Sequence, residues 1–215
     1  MKKSAFTLIE LVFIIVVLGI ITAVSVSRVD RDHRQDASTQ ILQDIRYTQH
    51  LALMDDKTDP FNASWQGSLW TIRFFNANNA WTYTIGSDAD NGGNIGLAEA
   101  AIDPTNGNSL FDNNGVQAFG ESSRIFLTQN FGITNIAFNN TATGAAGNSG
   151  VQHVAFDYMG RPHRGILANG GGNDYATIMQ ADLNITFTMA DGVTTFSIIV
   201  EDQTGAAYID GQDDS

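Results

Sequence analysis

The feature that most limits what this chain can fold into is a stretch of 21 residues, 6–26, that is almost wholly apolar and carries one charge, Glu10. As a helix rising ~1.5 Å per residue it covers roughly 30 Å, the thickness of one bilayer core. Lys2 and Lys3 precede it, so the charge bias predicts a cytoplasmic N-terminus and an exported body. The run exceeds the apolar stretch of an ordinary secretory signal, and a spanning helix is the expectation. Glu10 is costly there, about 2.5–3.5 kcal/mol on insertion scales. No Lys, Arg or His lies between residues 6 and 26, so its partner is expected to be a cation from another molecule.

The helical pattern continues past the apolar run. Residues 28–56 contain no Pro or Gly, and Ala37, Ile41, Ile45, Thr48 and Ala52 recur at spacings of three and four. Leu42, Leu51 and Leu53 widen this stripe, and residues 28–36 form a collar of mixed charge at its start. Lys57-Thr58-Asp59-Pro60 is a stop signal. The expected organisation is therefore a short leader at 1–5, a transmembrane helix at 6–26, the soluble half of the same helix at 27–57, and a head at 58–215.

Composition narrows what the head can do. The chain has a formal charge of −12, and only Arg73, Arg124, Arg161 and Arg164 follow Lys57, against acids several times as numerous. Such a surface repels phosphate backbones and argues against nucleic acid as a partner. The absence of cysteine excludes disulfides and thiolate zinc sites. Twenty-one glycines and three prolines, with 13 Phe and 3 Trp to fill a core, suit a turn-rich β head. Strands are expected at 69–75 and 81–85, joined by a hairpin at Asn76-Ala77-Asn78-Asn79. Further strands are expected at 123–127, 134–138, 151–157, 183–189 and 195–200, with 206–209 closing the sheet. Asp191-Gly192 marks a tight turn, and residues 139–150 and 170–172 read as loops. The fold class is thus α+β: one long N-terminal helix packed on an antiparallel β-sheet head.

The N-terminal residues Lys2-Lys3-Ser4-Ala5-Phe6-Thr7-Leu8-Ile9-Glu10-Leu11 resemble the class III leader of type IV pilins and type II secretion pseudopilins. That resemblance implies a pilin-like fold, cleavage between Ala5 and Phe6 by a prepilin peptidase, and N-methylation of Phe6. It also implies that Glu10 faces the Phe6 amine of a neighbouring subunit, a pairing favoured near a helix N-terminus. Ala5 departs from the glycine usual before the cut. In the head, the stretch 154–162, ending Phe156-Asp157-Tyr158-Met159-Gly160-Arg161-Pro162, resembles the FDxxGRP segment of H-type pseudopilins and FimT-like minor pilins. Residues 196–200 followed by Thr204-Gly205 resemble the last strand and turn of that family, and Arg161 is expected to brace Asp157 or a carbonyl. Some FimT-like relatives bind DNA through arginines after that turn. Here Ala206, Ala207 and Tyr208 follow, then aspartates.

Two chemistries remain. Asp88, Asp90 and Glu99 occupy positions one, three and twelve of a calcium-loop pattern, with Asn94 inside it and Gly92 at position five in place of a ligand. Calcium is the one candidate cofactor, and the alternative for this loop is an Asx-rich turn cluster with no ion. Asp103, Asn106, Asn108 and Asp112 form a weaker cluster of the same kind. Against an enzyme, His33, His50, His153 and His163 lack paired metal spacing, and there is no GxSxG elbow.

The expected function is that of a minor pseudopilin, a structural subunit of a type II secretion pseudopilus, without catalytic activity. The alternatives are a type IV pilus minor pilin and a membrane-anchored calcium-binding adhesin. The implied partners are prepilin peptidase/methyltransferase, other pilins or pseudopilins, an inner-membrane assembly platform and membrane lipid. The implied location is the inner membrane, single-pass, with the head in the periplasm.

Overall fold

A computed structural model describes residues 8–139, 152–166 and 177–212, with the backbone alone over 22–32. The expected cut between Ala5 and Phe6 and most of the loops at 139–150 and 170–172 lie outside the described residues.

Helix α1 (Leu8–Met54) runs for 47 residues. It contains no proline and only Gly19 as a glycine, so no residue in it breaks the i to i−4 ladder. Its C-terminal part is anchored: Ala37, Ile41, Leu42, Ile45, Thr48 and Ala52 are buried, while Leu53 is exposed. Beyond the helix, Asp56 accepts the Thr58 N–H at 2.9 Å and Asp59 accepts that of Phe61 at 2.9 Å, which turns the chain at the expected stop.

The membrane reading is corrected. Among the described residues no helix is long and apolar enough to cross a membrane. The transmembrane assignment of 6–26, the inner-membrane location and the cytoplasmic–periplasmic orientation all fall with it.

The single-sheet architecture is corrected as well. The head holds two four-stranded antiparallel sheets. The first is ordered β2 (Ala80–Gly86), β1 (Trp70–Ala77), β4 (Gln152–Phe156), β5 (Pro162–His163). The second is ordered β3 (Asn135–Phe138), β6 (Leu183–Thr188), β7 (Thr195–Val200), β8 (Ala207–Ile209). The β1–β2 hairpin turns at Asn78 and Asn79, both at positive φ (51° and 60°), a conformation asparagine tolerates. The β6–β7 turn is held by Asp191, whose carboxylate accepts the N–H groups of Val193 and Thr194.

A strand expected at 123–127 is absent. Ser123–Ile125 form a 3₁₀ turn and Leu127–Phe131 a short helix, α2, ended by Gly132 at φ +71°. Ile125, Phe126 and Leu127 are all buried, so this run lacks the alternation of a half-buried strand. One core lies between α1 and the two sheets. Phe74 of β1 meets Phe187 of β6 edge-on at 5.8 Å, and Phe187 stacks on Phe196 of β7 at 4.8 Å.

Candidate metal centre

Strand β2 ends at Gly86, and the chain folds back over it at once. A Cβ there would stand 2.4 Å from Ile95 Cγ2 and 2.7 Å from the Glu99 carbonyl oxygen, so only glycine permits the approach. The return brings Asp88, Asp90 and Glu99 together, with carboxylate oxygens within 4.8 Å of one another. Asp88 is buried, Glu99 half-buried and Asp90 exposed.

Backbone amides hold the three carboxylates in place. Asp88 accepts the N–H of Gly92 at 2.9 Å and of Gly93 at 2.7 Å, and Asp90 accepts Gly92 at 2.8 Å. Glu99 accepts Asp90 N–H at 3.1 Å and Gly96 N–H at 2.7 Å. Burial pushes the Asp88 carboxyl above its ordinary range, the Gly93 and Gly92 amides oppose this, and Asp90 and Glu99 reinforce it. Three convergent hard oxygens can hold a metal ion. Asn94, the fourth expected ligand, turns elsewhere: its amide oxygen accepts from Arg73 Nη1 at 3.0 Å.

The weaker cluster does not converge. Asp103 and Asn106 meet at 3.0 Å, but Asp112 sits apart, accepting from Thr82 Oγ1 at 2.8 Å and from the Asn114 and Gly115 N–H groups. Asp103 belongs instead to a buried ionic network that sequence reasoning missed. Arg124 donates from Nη2 to Asp44 at 2.8 Å and from Nη1 to Asp103 at 3.3 Å, and the Tyr83 hydroxyl donates to Asp44. Burial raises the Asp44 carboxyl to about 6 even though Tyr83 and Arg124 both pull it down. For Asp103 burial acts upward too, but Ser122, Thr105 and Arg124 together hold it below the ordinary range. A signal did exist. Asp44 lies three residues after Ile41 and four before Thr48, on the buried arc of α1.

Arg161 braces Asp157 as expected, with Nε at 2.8 Å and Nη2 at 2.7 Å. His163 lies 3.4 Å from Asp157 and 2.9 Å from Thr177 Oγ1, whose hydroxyl donates to Gln66 at 2.5 Å. This Asp–His–Thr order resembles a nucleophile array, but all three residues are buried and the hydroxyl is engaged. The turn at Gly160 and the turn at Thr204-Gly205 meet on α1, where Gln49 Nε2 donates to the Gly160 and Thr204 carbonyls, each at 2.9 Å.

No family model matches the sequence, no curated protein matches it, and no solved structure matches the fold.

Proposed function

We propose that this chain is a non-catalytic structural subunit of the pseudopilin type, which assembles with other subunits through its N-terminal helix. One observation carries the reading. Every residue from 8 to 21 is exposed, Leu8 at 81% and Phe13 at 69%, on a helix whose other end is fixed in the core. An apolar helix exposed on all sides is costly in water, and helices of the same pattern from neighbouring subunits would cover it. The leader resemblance supports this choice of occupant, as does the docking of both family-like head segments on Gln49.

Processing tests the assignment. In its native host the mature chain is expected to begin with N-methyl-Phe6, and loss of Lys2 and Lys3 takes the formal side-chain charge from −12 to −14. Mass spectrometry of the N-terminal peptide reads both changes. A mature chain that still starts at Met1 would overturn the assignment.

We further propose calcium as the ion of the acidic triad, because three clustered carboxylates suit a hard, oxygen-seeking cation. With Asn94 turned to Arg73 and Gly92 at position five, the site has few ligands and is expected to be weak, about 10⁻⁴–10⁻³ M. A tenfold excess over that constant then stabilises the head by about 1–2 kcal/mol. The melting temperature should rise in millimolar calcium relative to chelator, and Asp90→Ala, at an exposed position, should abolish the rise. The same rise in Asp90→Ala, or none in the wild type, would rule out calcium at this triad.

A further inference from the structure

The face of the first sheet turned away from α1 holds a cavity of about 370 Å³, lined by Arg73, Phe75, Asn94, Ile95, Phe111 and Asp112 among others. Strand register explains its composition. Ile72 and Phe74 of β1 face the core, so Arg73 and Phe75 face outward, with Arg73 opposite Thr84 of β2 and His153 of β4.

Charge singles out Arg73. Of the four arginines beyond Lys57, Arg124 pairs with Asp44 and Asp103, and Arg161 pairs with Asp157. Arg73 and Arg164 have no carboxylate partner among the described residues, although the chain carries twice as many acids as bases. Arg73 gives one hydrogen bond to Asn94 and stands 5.9 Å over the Phe75 ring, while its buried Nε has no partner. Burial lowers its pKa from the ordinary arginine value, a sign that part of its hydration is lost without compensation. Behind it, His153 is 4% exposed, accepts the Gly165 N–H at 3.0 Å and leaves Nδ1 buried without a partner. Burial, then Arg164 and Arg73, lower the His153 pKa to about 3, so the ring stays neutral at ordinary pH. The one acid in the wall, Asp112, is 3% exposed and saturated by Thr82 and two backbone amides.

We propose that this cavity binds a small organic monocarboxylate with an apolar body. The carboxylate lies on the Arg73 guanidinium, and the body rests against Phe75, Ile95 and Phe111. A guanidinium fork matches a planar carboxylate with two parallel hydrogen bonds. A single arginine in a strongly acidic chain selects a monoanion over phosphate or any polyanion. The volume falls within the range of small-ligand sites, roughly 300–1,000 Å³. This inference does not rest on the filament reading or on an ion at the acidic triad, with whose loop it shares Asn94 and Ile95.

Titration calorimetry on the full chain in mild detergent, with benzoate as the probe and chelator present throughout, tests the site. Benzoate should bind saturably at millimolar concentration, while benzamide, equal in shape but uncharged, should bind at least about tenfold more weakly, the equivalent of ~1.4 kcal/mol. Inorganic phosphate should not compete. Arg73→Gln should lose benzoate binding and Arg73→Lys should retain part of it. Equal binding of benzoate and benzamide to the wild type, or no saturable benzoate binding, would overturn the proposal whether or not the variants fold.

Discussion

Arg124→Ala is expected to lower the stability of the head by about 3–5 kcal/mol, the cost of leaving buried carboxylates without their cation. For a chain of this length that is a fall in melting temperature on the order of 10 °C. Asp44 and Asp103 are 2% and 0% exposed, and water cannot replace the guanidinium that bridges them. Arg124→Lys should recover only part of the loss, because one ammonium cannot serve two carboxylates in the geometry of a planar fork.

The defect should also depend on pH. Asp44 is raised from 3.8 to about 6 in the folded protein, so the native state holds this proton more tightly than the unfolded chain. Stability from this group is therefore full below about 4 and is lost as the pH rises through about 6. Without Arg124 the raising effect grows, so Arg124→Ala should be most damaging at neutral pH and less so near pH 5. Urea denaturation at both values measures this. A loss within about 0.5 kcal/mol of that at an ordinary surface site would show that the network does not hold α1 to the head, and a uniform loss across the range would show that Asp44 does not carry the pH dependence.

Spacing made α1 and its stripe legible, since Ala37, Ile41, Ile45, Thr48 and Ala52 share one face of any straight helix. The hairpin at Asn78-Asn79 and the turn at Asp191 were legible because those side chains suit the backbone that a tight turn needs. Pairing was not legible. Alternation marks a strand and its inner face, but nothing local says that β3 joins β6 while β4 joins β1. Two sheets and one sheet therefore look alike in sequence. The run 123–127 misled for a related reason: its apolar part, Ile125-Phe126-Leu127, is three consecutive buried residues, which have no period with which to separate strand from helix.

The acidic triad followed from loop spacing, but Asn94 did not, because the competing donor, Arg73, lies 21 residues earlier on another strand. Arg124 could not be joined to Asp44 from sequence for the same reason. Long-range ionic partners depend on where the fold places each chain segment. The apolar run 6–26 misled about the membrane because composition records that a surface is greasy and not what covers it.

If subunits assemble through α1, Glu10→Val should break the contact. Glu10 is exposed and lies 27 residues before Ala37, the first of the buried stripe, so the variant should leave the head folded with an unchanged melting temperature. If Glu10 meets the Phe6 amine of a neighbour, the substitution removes a charge pair of about 1.5 kcal/mol or more, and incorporation into the filament fraction should fall at least about tenfold. Glu10→Asp should keep part of it. The measurement is the amount of each variant that cross-links to partner subunits in its native host. Loss of the Val variant from the cross-linked fraction, with the head intact, is the predicted result. Incorporation equal to that of the wild type would contradict assembly through this end of the helix.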